Sequence, residues 1–224
     1  MVDYVWHHVR LNALALRTNG AEIANSITHG AGWALATGGG LLLIAQSLAT
    51  RDFWKIAGCT VFALTLMAVY AASTLSHLAQ RQPWRHLFRT WDQGLIYLLI
   101  SGTYTPFAFA FLRSGPWWLL TTAMWVVAWY GFATKVLLRH RIEGISLVLY
   151  LTLGWLPILG APWYRSVIPH ECLALVLGGG VIYTIGAVFL MLDHRWSYFH
   201  AVWHVLVIAA SACHYLAVWR FVAS

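Results

Sequence analysis

The chain has 224 residues, of which 60% are hydrophobic and only 9% are charged, and its formal net charge is +7. Soluble domains carry about 45–50% apolar and about 25% charged residues, so this composition excludes a soluble globular protein. The 14 Lys and Arg residues are spread evenly along the chain, which excludes the basic face of a nucleic-acid-binding protein. The sequence therefore predicts an all-α, polytopic membrane protein with a single domain over residues 1–224.

Seven segments are long and apolar enough to cross the hydrocarbon layer, which takes about 20 residues of helix. In chain order they are residues 24–48, 54–79, 92–112, 117–138, 144–161, 171–192 and 198–220. Apolar runs such as GGGLLLIAQSLA show no period-two alternation, which excludes the strands of a membrane β-barrel. The fifth segment is the shortest and is interrupted by Pro157. We therefore predict a bundle of seven transmembrane helices.

The basic residues predict the orientation of this bundle. Nine of them fall on the side of the N-terminus: Arg10, Arg17, Arg81, Arg85, Arg89, Lys135, Arg139, Arg141 and Arg195. Five fall on the other side: Arg51, Lys55, Arg113, Arg165 and Arg220. Because cytoplasmic loops carry an excess of Lys and Arg, we expect a cytoplasmic N-terminus and a C-terminus outside.

Polar and ionisable residues inside the spans mark a functional site, because they are costly in a membrane. Ser73 and His77 end the second span, Asp92 begins the third, and His200 and His204 begin the seventh. The first span opens with a polar helical face made of Glu22, Asn25 and His29. The predicted orientation brings all of these residues to the cytoplasmic side of the membrane, although it was set by Lys and Arg alone.

Three histidines at one depth suit a zinc ion, and we predict His77, His200 and His204 as its ligands. Catalytic zinc sites use three protein ligands and leave the fourth position to water. Two histidines four residues apart on a helix can direct both rings at one ion. Asp92 is then the candidate to position this water or to act as its base, and Ser73 is the candidate to assist.

Other interpretations of these residues stay open at this stage. An intramembrane serine such as Ser73 commonly bonds to its own backbone carbonyl one turn earlier. Glu22, Asn25 and His29 either support the metal ligands or form a polar cluster that packs helices.

Four blocks of the sequence resemble the bacterial hemolysin III family. They are ANSITHGAG in the first span, STLSHL in the second, RTWDQGLIYLLISGTYTPF in the third and SYFHAVWHVLVIAASACHYLAV in the seventh. This family is grouped with the progestin and adipoQ receptors, including the adiponectin receptors, and the alkaline ceramidases belong to the same wider superfamily. The resemblance extends from Glu22 to about Trp219.

The resemblance implies a seven-helix protein of the bacterial inner membrane, with a zinc ion near the inner leaflet. The family's motif positions fall on Ser73, His77, Asp92, His200 and His204, and all of them are filled in this sequence. In the better-understood relatives this site is associated with hydrolysis of a lipid amide such as ceramide. For the bacterial members the family name refers to haemolysis and pore formation.

Three functions follow as hypotheses. The first is a zinc-dependent intramembrane hydrolase of a lipid amide or ester, whose partners are membrane lipids, including a lipid substrate. The second is a pore, a channel or a sensor of the lipid state, with a structural or regulatory zinc. The third is a structural membrane protein whose histidines only pack helices, which leaves the shared depth of Asp92 and the three histidines unexplained. The sequence predicts neither the substrate nor the oligomeric state.

Overall fold

The computed structural model describes residues 2–113, 117–137, 143–160 and 164–224, with side chains described over residues 20–113, 118–137, 146–160 and 164–224. These residues form helices and no β-strand. The α-helices are α1 (Val2–Ala49), α2 (Phe53–Leu78), α3 (Gln82–Phe111), α4 (Trp117–Val136), α5 (Glu143–Trp155), α6 (His170–Met191) and α7 (Phe199–Phe221). A 3-10 segment, Leu156–Gly160, continues α5.

Five helices of the described part of the chain are long and apolar enough to cross a membrane. They are Gly20–Ala49, which is part of α1, and the whole of α2, α3, α6 and α7. The fourth and fifth predicted segments are also helical, but α4 is rich in tryptophan, which scores low in hydropathy, and α5 has only 13 residues. Pro157 lies in the 3-10 segment, as expected for a residue that cannot continue an α-helix. The helical membrane class is thus confirmed, whereas seven crossings and their orientation stay predictions.

The third helix begins at Gln82, ten residues before the predicted start of its span at Asp92. The run QPWRHLFRTW carries two arginines and a histidine, which lower its hydropathy but are compatible with a helix. Pro83 lies in the first turn, where proline is well tolerated. Asp92 therefore lies well inside α3, about 15 Å from its first residue.

The helices pack in an order that places α2 between α1 and α3. Further contacts join α3 to α4, α6 to α7 and α1 to α7, whereas α5 contacts α3 and α6 more sparsely. Gly58 sets the distance between α2 and α3, because a Cβ atom there would lie 2.8 Å from the backbone Cα atom of Pro106. The sparse packing of α5 leaves space between α3, α5, α6 and α7.

Asp52 caps α2 at the end of the bundle opposite His77. Its carboxylate accepts hydrogen bonds from the backbone N–H groups of Trp54 and Lys55, at 2.9 and 3.3 Å, and pairs with Arg113 at 2.9 Å. Desolvation alone would raise the pKa of Asp52, but these hydrogen bonds and the charge of Arg113 outweigh it and lower the pKa. Asp52 therefore stays ionised and holds the start of α2 against the end of α3.

The outer surface carries large apolar side chains, as a lipid-facing surface does. Leu35, Val126 and Leu159 are each more than 60% exposed, and contiguous apolar surface of this kind is rare on soluble proteins. Four of the basic residues used to predict the orientation, Arg10, Arg17, Arg139 and Arg141, lie outside the residues whose side chains are described. The surface and the apolar helices together indicate a membrane protein.

Candidate metal centre

Three histidines from two helices form a cluster at one end of the bundle. His77 lies in the last turn of α2, and His200 and His204 lie in the first two turns of α7. One ring nitrogen from each lies within 4.8 Å of the other two. Because zinc holds imidazole nitrogens at about 2.0–2.1 Å, a small contraction of this cluster would bring all three onto one ion. The structure thus brings together the three predicted ligands, while their role as ligands stays a prediction.

The Nδ1 atoms of His77 and His200 each face a carboxylate. His77 Nδ1 lies 3.0 Å from Glu22 Oε2, and His200 Nδ1 lies 3.2 Å from Asp193 Oδ2. An ionised carboxylate only accepts hydrogen bonds, so both Nδ1 atoms carry the proton. The other oxygen of Glu22 accepts a hydrogen bond from Arg85, which fixes the carboxylate in place. Each ring is therefore left with a bare Nε2 atom, as in metal-binding histidines that donate their second nitrogen to a carboxylate.

His204 reaches the same protonation state through Thr28 of α1. The Thr28 hydroxyl donates to the backbone carbonyls of Ala24 and Asn25, at 2.8 and 3.0 Å. It lies 3.1 Å from His204 Nδ1. A hydroxyl has one proton, so when Thr28 donates it to a backbone carbonyl, its oxygen accepts from His204, which then carries its proton on Nδ1. All three histidines thus leave Nε2 free to bind a metal.

Asp193 lies in the turn between α6 and α7, outside the membrane-spanning helices. The hydrogen bond from His200 lowers the pKa of Asp193 below its ordinary value, and the nearby charge of Arg89 acts in the same direction. Burial of the carboxyl group opposes these effects without outweighing them. Asp193 is therefore an ionised acceptor that orients the His200 ring.

Asp92 and Ser73 face each other beside the histidines. The Ser73 hydroxyl donates a hydrogen bond to the Asp92 carboxyl group, and both residues line the same cavity as the histidine cluster. Ser73 lies one turn before His77 on α2. Asp92 does not belong to the group of clustered ligand atoms. This arrangement favours Asp92 as a group that handles a proton rather than as a metal ligand.

Asn25 and His29 are buried on α1, one turn apart, next to the cluster. The His29 ring lies 3.5 Å from the His204 ring between centroids, and 5.2 Å from the Tyr70 ring. Within the described residues, Asn25 Oδ1 and both ring nitrogens of His29 have no hydrogen-bond partner. Leaving such atoms unpaired costs about 1–3 kcal/mol each, which a water or ligand in this site would remove. His29 thus packs against the cluster, and both predicted interpretations of Asn25 and His29 stay open.

A cavity of about 1120 Å³ leads from the cluster into the bundle. At one end it is lined by the three histidines, Ser73 and Asp92. Beyond them its lining is mainly apolar and comes from α3, α5, the 3-10 segment, α6 and α7, through Leu99, Phe107, Leu151, Ile158, Val176 and Val207. Along α3 its lining runs from Arg85 to Phe107, and the stretch from Asp92 to Phe107 corresponds to about 22 Å at the rise of an α-helix. A long apolar chain fits this shape, with a polar end at the histidines.

Sequence reasoning missed the partners that orient the ligands. Thr28 stands directly before the candidate His29, and Asp193 precedes His200 by seven residues across a turn. The side-chain oxygens of Thr28 and Asp193 can accept a hydrogen bond from a histidine, which was the only signal in the sequence. Whether they reach a histidine depends on the rotation of α1 and on the conformation of the α6–α7 turn. Arg85 was used to predict the orientation, and in the structure its guanidinium group also donates a hydrogen bond to Glu22.

Comparison with known proteins places the chain in a family. The model of the family described as Haemolysin-III related matches residues 18–215. "Hemolysin-3" of Bacillus cereus is 34% identical over 202 residues, which cover 90% of this chain and 91% of that protein. "Hemolysin-3 homolog" of Bacillus subtilis (strain 168) is 32% identical over 198 residues, which cover 88% of this chain and 92% of that protein.

A eukaryotic relative matches over a shorter range. "Monocyte to macrophage differentiation factor" of Homo sapiens is 28% identical over 182 residues, which cover 76% of this chain and 72% of that protein. No solved structure matches the chain. The family match and the two bacterial relatives confirm the resemblance seen in the sequence blocks: the chain belongs to the haemolysin III-related family.

Proposed function

We propose that this protein is a zinc-dependent intramembrane hydrolase of a lipid amide or ester. The observation that carries the proposal is a cluster of three histidines in which one ring nitrogen of each lies within 4.8 Å of the other two, while each Nδ1 atom has a partner of its own. When bound there, zinc supplies a Lewis acid and an activated water at neutral pH. The cluster stands at the polar end of an apolar cavity, where the carbonyl of an acyl chain would lie.

Asp92 is the proton carrier in this proposal. Its carboxylate takes a proton from the attacking water as the water oxygen bonds to the acyl carbon. It returns that proton to the leaving nitrogen or oxygen as the amide or ester bond breaks, giving a carboxylic acid and an amine or alcohol. The Ser73 hydroxyl orients the Asp92 carboxylate through their hydrogen bond.

We further propose seven crossings, a cytoplasmic N-terminus and a location in the bacterial inner membrane. The basic residues support this orientation, since Arg81, Arg85, Arg89 and Arg195 all lie near the cluster end of the helices. In this orientation the metal centre lies near the cytoplasmic leaflet, and the cavity extends from there into the membrane.

Metal content and hydrolysis measured on the same purified variants test the proposal. We expect about one zinc per chain in the wild type, loss of zinc and hydrolysis in His204→Ala, and retained zinc with a rate reduced about 100-fold or more in Asp92→Asn. Full zinc occupancy in His204→Ala would overturn the ligand assignment. The bacterial relatives' name suggests the second candidate, a pore. Ion flux through liposomes that persists when both His77 and Asp92 are replaced would favour that function over the enzyme.

A further inference from the structure

Arg85 and Arg89 extend the Asp92 face of α3 beyond the metal centre. They lie one turn apart, and both line the cavity. Arg89 precedes Asp92 by three residues, a rise of about 4.5 Å. Trp84 and Trp91 lie on another face of the same segment and are 55% and 42% exposed, as tryptophans at a membrane interface are. This part of α3 therefore turns aromatic rings to the lipid and guanidinium groups to the mouth of the cavity.

Arg89 also lies close to the α6–α7 turn. Its charge acts on Asp193 in that turn as well as on Asp92 of its own helix. His194 and Ser197 of the same turn line the cavity too. The mouth is thus bounded by cationic and hydrogen-bonding groups from two elements, directly beside the histidine cluster.

The formal charges of the side chains that line the cavity sum to zero. The cationic side chains are Arg85, Arg89 and Lys135, and the anionic ones are Glu22, Asp92 and Asp193. A divalent ion bound to the histidines therefore leaves an excess of two positive charges in a partly buried space. Such a charge is costly at low dielectric unless an anion compensates for it. The cavity is consequently suited to a ligand with a negatively charged polar end and an apolar chain.

We propose that the cavity binds an anionic acyl lipid that carries a phosphate group, with the phosphate on Arg89 and Arg85 and the acyl carbonyl at the histidine cluster. This inference rests on the proposed function, because it names the substrate class of the same site. Guanidinium groups bind phosphate oxygens in a bidentate geometry. In such lipids only a few bonds separate the phosphate from the ester or amide carbonyl. The short rise between Arg89 and Asp92 matches that spacing.

Lipid retention by the purified protein tests this inference without any hydrolysis. The full chain is placed in phosphatidylcholine nanodiscs with equal amounts of phosphatidic acid and diacylglycerol that bear identical acyl chains. It is then extracted into detergent, and the lipids that stay bound are quantified by mass spectrometry. We expect preferential retention of phosphatidic acid. Arg89→Gln should reduce this retention about tenfold, the size of one lost charge-assisted hydrogen bond, and leave diacylglycerol unchanged.

Arg81→Gln is the matched control, because it removes the same charge about two turns before Arg89, at the N-cap of α3. Arg81 is exposed and does not line the cavity, so retention should stay at the wild-type level. An equal loss in both variants would show general attraction to a basic surface and would overturn the inference. Equal retention of the two lipids by the wild type would also overturn it. Monodisperse elution and unchanged zinc content establish that Arg89→Gln is folded.

A competition arm separates a lipid headgroup from a soluble anion. Retention that survives excess inorganic phosphate supports the lipid, whereas retention abolished by it assigns the arginines to a soluble anion and overturns the proposal. The inference and the proposed function fail separately. Retention of phosphatidic acid without hydrolysis of any lipid would contradict only the proposed hydrolase function. Hydrolysis of neutral lipids without preference for phosphate contradicts only the inference.

Discussion

Replacing Glu22 by Gln should weaken zinc binding by about 10–100-fold, the usual cost of losing the group that orients a metal-binding histidine. The Glu22 carboxylate serves two donors, His77 Nδ1 at 3.0 Å through one oxygen and Arg85 through the other. Gln places an acceptor oxygen at only one of these two positions and an NH₂ donor at the other, so one of the two contacts is lost. If the amide oxygen turns to Arg85, the amide NH₂ group faces His77 Nδ1–H, and the ring loses its preferred orientation.

The zinc affinity of Glu22→Gln is expected to fall only moderately, because the other two histidines are unaffected. His200 and His204 keep their own partners, Asp193 and Thr28, so two of the three ligands stay oriented. The expected loss of zinc-binding free energy is about 1.4–2.7 kcal/mol, well below the loss expected when a ligand is deleted. A competition titration against a chromophoric zinc chelator, in detergent at neutral pH, measures it directly.

Glu171→Gln is the matched control for this titration. It makes the same chemical change at an exposed carboxylate in the first turn of α6, and its zinc affinity should equal that of the wild type. An unchanged affinity in Glu22→Gln would refute the inference that Nδ1 of His77 is held by this carboxylate to expose Nε2. Equal weakening in both variants would attribute the effect to global charge.

Two further predictions concern the scaffold. Gly58→Ala should lower the free energy of unfolding by about 1–3 kcal/mol, because its Cβ atom would lie 2.8 Å from the Pro106 backbone. Gly38→Ala, with nothing within 4 Å of its Cβ atom, should be neutral or stabilising; equal thermal shifts of the two variants would contradict this packing argument. Asp52 has a lowered pKa, so its pairing with Arg113 stabilises the fold above the unfolded pKa and is lost as the pH falls through the folded value. The melting temperatures of the wild type and Asp52→Asn should therefore differ at pH 6, and the difference should begin to shrink near pH 4 and vanish only below the lowered pKa of Asp52; a constant difference would contradict the assignment.

Hydropathy was sufficient to locate the helices but not their ends. Each of the seven predicted segments coincides with an α-helix over most of its length, the fifth continues into the 3-10 segment, and residues 138 and 161 lie outside the described residues. A long apolar run in a membrane leaves the backbone no alternative to a helix except a closed barrel. The start of α3 was misplaced by ten residues, since its first turns are amphipathic rather than apolar. Hydropathy identifies helix segments that contact lipid on most sides. The N-terminal part of α3 was missed because it bears Arg85 and Arg89, which line the cavity.

The proximity of the three histidines could be predicted from the order and direction of the helices alone. His77 ends one helix, and His200 and His204 begin another, so once the ends of the helices are assigned to one side, their proximity follows. The partners of their Nδ1 atoms were not predictable. Thr28 contacts His204 only because α1 presents that face to α7, and helix rotation is set by packing that a hydropathy pattern does not contain.

The first helix, α1, contributes to the candidate site although no metal ligand is predicted on it. Glu22 and Thr28 both lie on α1, and they orient His77 of α2 and His204 of α7 respectively. The two helices that carry the predicted ligands are therefore aligned by a third helix, on which no ligand is predicted. Because His29 also packs its ring on His204, a shift of α1 along its axis would disturb two of the three ligands together. The geometry of the histidine cluster thus depends on the docking of α1, because the polar face of this helix contacts the rings directly.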